Sequence, residues 1–398
     1  MYKFEFSVLF IVVVFCSCSR PKQNPPQIYY QPSGSEQFND QYTLKKVGSV
    51  SFPLDSATSF TSKSISTFNE NGIEYFSLLN AFNQTIYVYD LSTKSLVEKI
   101  SLEKISTNGV KPNGHYLSHY IKNKDTIIVC DSWHYRIFLL NNHGEVRHVY
   151  NIPFPGKDKF IVGLEAETER PMLVKDDKLY ITGDLLDYSI PDQTKIKNII
   201  AVDLKTNVIN RYFSRPELYN RVVWSGDEYR LFNTFNSKTN KFIYSYAADP
   251  FIYETNNSGY LKKHYVGSKF FKKILPYKWE KDFKMNDELM SKLVEHDYTT
   301  PQFFKIIYDK YNDVYYRSAL LPLTKDEYYD PQKRTFAKES LIIIDSKFNK
   351  IGEIQLPEKK YLKNMYFLTR EGLNIALVPS LQTNEAQLTF DTFKLIKK

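Results

Sequence analysis

Cysteine is nearly absent from this chain. Of three cysteines in 398 residues, two fall within Phe15–Cys18, so the body keeps Cys130 alone. One remaining thiol excludes an intrachain disulfide framework, even in an oxidising compartment. Cys130 sits in the apolar run Thr126–Cys130 and reads as a buried strand residue. Long apolar runs are missing too. After residue 18 no segment approaches 18 consecutive apolar residues, which excludes a helical membrane span from the body. There is no HExxH, CxxC, GxGxxG or phosphate-loop pattern, so the common mechanistic signatures are lacking and no cofactor is expected. Blocks of like charge are absent as well. The net charge is +8, but the lysines are scattered, which speaks against nucleic acid and for a solvated basic surface that suits anionic glycans or lipid head groups.

What the chain does have is aromatic residues. Tyr (31) and Phe (28) bring the aromatic share to 16%, which favours strands. With 25% charged and 42% hydrophobic residues the composition is that of a globular protein. A chain of 398 residues has room for two or three domains, yet all-β folds of this size often form one unit.

The N-terminus carries Lys3, then the mostly apolar run Phe6–Phe15, then Phe15-Cys16-Ser17-Cys18. A charged head, a short apolar centre and a small-residue boundary form a secretion signal over residues 1–17. The apolar centre is about half of the ~20 residues needed to span a bilayer. Cys18 behind small Ser17 resembles the lipobox of bacterial lipoproteins, whose cysteine is acylated and becomes the new N-terminus; Cys16 fits worse behind bulky Phe15. That resemblance implies a lipid-anchored protein of the bacterial cell envelope whose membrane contact is its own anchor. By resemblance to the sorting rules of such lipoproteins, Ser19 and Arg20 after the cysteine favour the outer membrane, and the lack of acidic residues in the tether before Glu36 favours the periplasmic side. Residues 18–41, with Pro21, Pro25, Pro26, Pro32 and Gly34 among Gln, Asn and Ser, read as an extended tether. At ~3 Å per residue it spans up to ~60 Å.

From Tyr42 one pattern recurs through residues 42–398. A strand ending in a polar residue meets a tight turn, as in Asp90–Ser95, Asn141–Glu145, Asp203–Val208, Glu254–Tyr260 and Asp345–Lys350. A second turn series starts at Asn69, Lys122, Lys175, Ser237, Lys310 and Thr369, with spacings of 53, 53, 62, 73 and 59 residues. Two hairpin turns per unit mean four antiparallel strands, and six such units predict an all-β, six-bladed propeller. Asp391 reads as the sixth strand-end residue, and only seven residues follow it. The missing outermost strand is therefore expected from Tyr42–Phe52, closing the ring and removing its open edge.

The stretch Val129–Gly144, VCDSWHYRIFLLNNHG, is similar to the core of an NHL-type blade. With the lipobox and six units, the chain resembles the six-bladed β-propeller lipoproteins of Bacteroidota, a group of largely unassigned function.

If strands run A to D outward from the axis, both short turn series lie on one face. The long connections, Ser106–Gly114, Ile152–Glu169, Leu185–Lys197, Ser214–Glu228, Gly267–Pro301 and Leu321–Lys338, lie on the other, where function usually sits. Within Gly267–Pro301, Asn286 is placed to cap a helix with Leu289, Met290, Leu293 and Val294 in one stripe. The A strands begin near His115, Arg170, Arg230, Gln302 and Lys363, with no comparable ring of acidic residues, so an anion is the expected ligand. Trp133 and His134, on the B–C connection of the second blade, are placed to stack on a sugar. The ligand-binding candidates are thus His115, Trp133, His134, Arg170 and Arg230. His115 and His119 would lie ~13 Å apart along a strand, too far for one metal ion. Two classes of function follow: a binding or scaffold module for a glycan, another ligand or an envelope protein, or a carbohydrate-active hydrolase or lyase using Glu165, Glu167 or His134.

Overall fold

Asp and Asn side chains set the turns that set the fold. Asp90 accepts hydrogen bonds from the Ser92 and Thr93 amides, Asp203 from those of Lys205 and Thr206, and Asp345 from those of Lys347 and Asn349, at 2.7–3.0 Å. Each carboxylate thereby satisfies amides that the ladder leaves unpaired. Left-handed positions of the hairpins fall on Asn71, Asp176, Asp177, Asn207, Asn240 and Asp313, residue types that tolerate positive φ, and in the Asp90 hairpin on Lys94. Phe348, at φ 66°, is bulky for that region, and its ring stacks on His264 with centroids 3.8 Å apart.

The computed structural model describes residues 39–398 apart from 57, 59–61, 63, 106–111, 154–162, 185–191, 221, 278–285, 335–337 and 383–385. The secretion signal, Cys18 and the tether as far as residue 38 lie outside the described residues. Six four-strand antiparallel sheets are arranged as a β-propeller. Blade 1 comprises Ile65–Glu70, Ile73–Asn80, Thr85–Asp90 and Leu96–Ser101; blade 2 comprises Leu117–Asn123, Thr126–Asp131, Arg136–Leu140 and Val146–Asn151. Blade 3 has its innermost strand in two pieces, Gly163–Glu165 and Leu173–Lys175, both paired with Lys178–Asp184, followed by Lys197–Asp203 and Ile209–Ser214. Blade 4 comprises Leu231–Asn236, Lys241–Tyr246, Phe251–Thr255 and Leu261–Tyr265; blade 5 comprises Gln302–Asp309, Val314–Leu321, Lys338–Asp345 and Lys350–Gln355.

Blade 6 joins both ends of the chain: Tyr361–Thr369, Gly372–Leu377, Gln387–Lys397 and, outermost, Tyr42–Pro53. The closing strand runs antiparallel to its partner from Tyr42 opposite Lys397 to Pro53 opposite Gln387. Asp391 is not a strand end, because the strand continues through it to Lys397 and gives the closing strand eleven residues to pair with. Asp391 instead anchors that pairing, accepting from Ser49 Oγ at 2.8 Å and lying 2.7 Å from Lys46 Nζ.

The apolar core lies between blades. One cluster, with Ile128 and Cys130 of blade 2, meets Ile181 and Ile200 of blade 3. Another sets Phe52, Phe367 and Phe390 of blade 6 against Phe76 and Tyr89 of blade 1. Cys130 is fully buried, and burial pushes its thiol well above the usual range, which makes it unreactive. The predicted helix, here α1 (Asp287–Thr299), is capped by Asn286, whose Oδ1 accepts from the Leu289 amide at 2.8 Å. Its Leu289 and Leu293 are buried against Val223, whereas Met290 and Val294 are exposed.

Candidate functional site

The break in the inner strand of blade 3 shapes the axis. Between its two pieces Glu167 and Arg170 bridge each other through reciprocal backbone hydrogen bonds of 3.1 and 3.2 Å, making a tight loop. Thr168 at its tip reaches across the ring: its Oγ1 accepts from the Ile65 amide of blade 1 at 3.1 Å, and its carbonyl accepts from Tyr366 Oη of blade 6 at 3.4 Å. The Pro171 carbonyl accepts from Asn233 Nδ2 of blade 4 at 3.0 Å. The loop is thus a plug tied to three other blades at the end of the axis that carries the long connections.

Arg170 is the root of this plug. It is 2% exposed, and its guanidinium meets Asp184 at 2.5 Å, Glu167 at 3.0 Å and Glu165 at 3.1 Å. Burial alone would lower its pKa; Asp184, Glu165, Glu167 and Glu169 outweigh that and raise it. Burial also raises Glu165, against the pull of Arg170. Glu169 is 5% exposed, and among the described residues its Oε2 has no hydrogen-bond partner. Burial first, then the charge of Glu167, pushes its carboxyl up to about 7.

Facing the plug are two cations with unused donors. Arg230 Nε lies 3.1 Å from Asp227 Oδ1, and among the described residues its terminal nitrogens make no ion pair. Lys363 makes no ion pair among the described residues; its Nζ lies 5.1 Å above the Phe304 ring. Crowding by protein in place of water lowers its pKa, opposed first by Asp227 and Glu339, and repulsion from Arg230 adds to the lowering. Beside them, Asn364 lines a cleft of about 240 Å³ shared with Ser62, Ala81, Phe82, Gly114 and His115. Phe82 is 70% exposed and packs edge-on against His115 at 5.3 Å. Next to His115, Tyr116 lies 4.9 Å from Trp133, which is 60% exposed. Four exposed rings from blades 1 and 2 thus gather on the face that carries the long connections.

A family model described as a domain of unknown function (DUF4221) matches residues 41–355. The chain belongs to the DUF4221 family. A crystal structure of a DUF4221 member from Bacteroides vulgatus superposes with a TM-score of 0.78 at 24% identity, covering 90% of this chain and 100% of that one. A Bacteroides fragilis protein described as an exported one superposes at 0.50 with 12% identity, over 90% and 95% of the two chains. Both likenesses concern the fold. Among curated proteins, none matches this DUF4221 chain significantly.

The structure brings His115 and Trp133 onto one aromatic surface and leaves Arg230 open. Arg170, expected to face a ligand, is enclosed by carboxylates, and Glu165 and Glu167 are two of them. His134 is held by Asp131, its Nδ1 lying 2.8 Å from Oδ2, while Arg136 Nη2 meets the same oxygen at 2.8 Å. That network fixes the B–C turn below Trp133. His119 is buried between Ser64 Oγ and Ser77 Oγ, both at 2.8 Å, and burial lowers its pKa to about 3, so it is neutral. No group of three or more His, Cys, Asp or Glu that could hold a metal ion occurs among the described residues. The sequence reading missed Phe82, Tyr116 and Glu169. It named Glu165 and Glu167 only as a possible catalytic pair and passed over Asp184 and Asp227, because Asp184 ends a strand and Asp227 precedes one, so a scan of first residues does not reach them.

Proposed function

We propose that this DUF4221 protein is an envelope-anchored binding module for an anionic glycan. It is lipidated at Cys18, held at the outer membrane by its tether on the periplasmic side, and meets its ligand on the face that carries the long connections. The observation that carries the reading is the set of exposed rings, Phe82, His115, Tyr116 and Trp133, on the same face as Arg230 and Lys363, which make no further ion pair among the described residues. Rings of this kind stack on the apolar faces of sugars, and guanidinium and ammonium groups take carboxylate or sulfate. The secretion signal and the exported Bacteroides fragilis relative agree with an envelope location. A thermal-shift panel of uronate-bearing, sulfated and neutral oligosaccharides tests the ligand class. Stabilisation by the anionic members supports the reading; a shift only with neutral sugars, or none, opposes it. For the anchor, Cys18→Ala should abolish incorporation of an alkyne fatty acid, and protease shaving of whole cells should leave the wild-type protein intact.

One observation favours the carbohydrate-active reading instead. Glu169 is a carboxyl that titrates near neutrality with a free oxygen beside the funnel, as a general acid requires. Turnover of any oligosaccharide in the panel, lost in Glu169→Gln, would support that reading.

A further inference from the structure

The plug divides the axis unequally. Below Thr168 the channel continues as a blind cavity of about 320 Å³ that opens on the opposite face, between the short turns. The inner strands of all six blades wall it, and six aromatic residues are among its lining: Phe68, Tyr120, Tyr308, Tyr311, Tyr366 and Phe367. Its closed end is satisfied, since both the hydroxyl and the carbonyl of Thr168 are bonded to protein. At its mouth Tyr311 Oη donates to Glu74 Oε1, linking blade 5 to blade 1 across the turn of blade 6, and Lys310 Nζ lies 5.0 Å above the Tyr311 ring. Thr67 lies mid-strand in blade 1 yet is exposed, because it faces this cavity. Its hydroxyl makes no hydrogen bond among the described residues, and exposed Asn69 lies two positions nearer the mouth.

We propose that this cavity is a second binding site, distinct from the glycan-binding face, for a small planar aromatic molecule bearing one hydroxyl. The volume falls at the lower end of the ~300–1,000 Å³ typical of ligand pockets, which suits two fused rings rather than a sugar chain. The aromatic walls supply edge and face contacts, and the hydroxyl bonds Thr67 or Asn69. The lining carries one anion, Glu74, and one cation, Lys310, both at the mouth, so an uncharged body suits the interior.

The probe is 6-bromo-2-naphthol, added to the wild-type protein and followed by calorimetry and by anomalous diffraction from a soaked crystal. Saturable one-to-one binding and a bromine peak inside the ring below Thr168 are expected. Thr67→Trp fills the cavity and should weaken binding at least ten-fold, while Trp133→Ala on the opposite face should leave it unchanged. A bromine peak elsewhere, no saturable binding, or full binding by folded Thr67→Trp would overturn the proposal. If Thr67→Trp does not fold, the position of the bromine decides. Failure of the glycan panel leaves these outcomes untouched, so the two readings stand or fall separately.

Discussion

At the residue scale, buried charge explains most of what distinguishes this propeller. Arg170 holds together three carboxylates that would otherwise repel one another at the axis. Arg170→Met keeps the bulk and removes the charge, and it should cost about 3 kcal/mol, the low end for breaking a buried pair, because Glu165 keeps some water. Urea unfolding measures it; an unchanged midpoint would mean the loop holds itself without the guanidinium. Arg317 does comparable work between blades 4 and 5: fully buried, it donates to the Pro250 and Val266 carbonyls at 2.9 and 2.8 Å and stacks 3.5 Å from the Phe303 ring. Glu169 gives a pH signature. Its pKa rises from 4.5 to about 7 on folding, so between these values the folded state holds a proton that the unfolded state has released. Stability must then fall as pH rises through that window. Asp297, raised from 3.8 to about 7 chiefly by burial, contributes a fall of the same sign. Glu169→Gln should therefore make the loss between about pH 5 and 7 shallower, read as melting temperature against pH; a steeper fall would contradict the assignment.

At the element scale, α1 and the closing strand show what local sequence encodes. Asn286→Ala removes a side-chain cap and should cost roughly 1 kcal/mol of stability in the same unfolding experiment. Turn chemistry was legible because it is local: Asp and Asn at strand ends bond amides two or three residues on, and residues that tolerate positive φ follow. Strand order followed from counting those turns, and the missing strand of blade 6 identified Tyr42–Phe52 as its completion, one residue short of the observed Tyr42–Pro53. Asp391 was misread as a strand end because its partners, Ser49 and Lys46, come from the opposite terminus. The same distance hides the plug. Nothing near Thr168 in the chain announces that its hydroxyl meets an amide of blade 1, so Arg170 read as the start of an inner strand facing a ligand. In α1 the stripe was half right, since Met290 and Val294 share a helical face with Leu289 and Leu293, but Val223 and Tyr277 cover only part of it. The aromatic face was legible only at Trp133 and His115, because Phe82 joins them through the neighbouring of two blades and Tyr116 through packing on Trp133 across blade 2.

At the scale of the whole molecule, ring closure and face asymmetry belong together. Phe52, fully buried in the closing strand, stacks on Phe76 of blade 1 with centroids 4.5 Å apart. Phe52→Ala should cost about 3–5 kcal/mol and loosen the one joint of the ring that no continuous chain crosses. Hydrogen exchange along Gln387–Lys397 should then rise more than exchange in blade 3; equal change in both would show that the ring does not open at this joint. A ring closed this firmly leaves its long connections free to vary on one face, which carries both the exposed rings and the cations Arg230 and Lys363. The most direct test of that account is titration of an anionic oligosaccharide selected by thermal shift into wild type, Trp133→Ala, Arg230→Ala and Lys94→Ala. The account predicts that the first two substitutions each weaken binding roughly 10–100-fold, as expected for losing ~1.5–3 kcal/mol, while Lys94→Ala, on the face of short turns, binds as wild type. Normal binding by both Trp133→Ala and Arg230→Ala, with loss in Lys94→Ala, would contradict it.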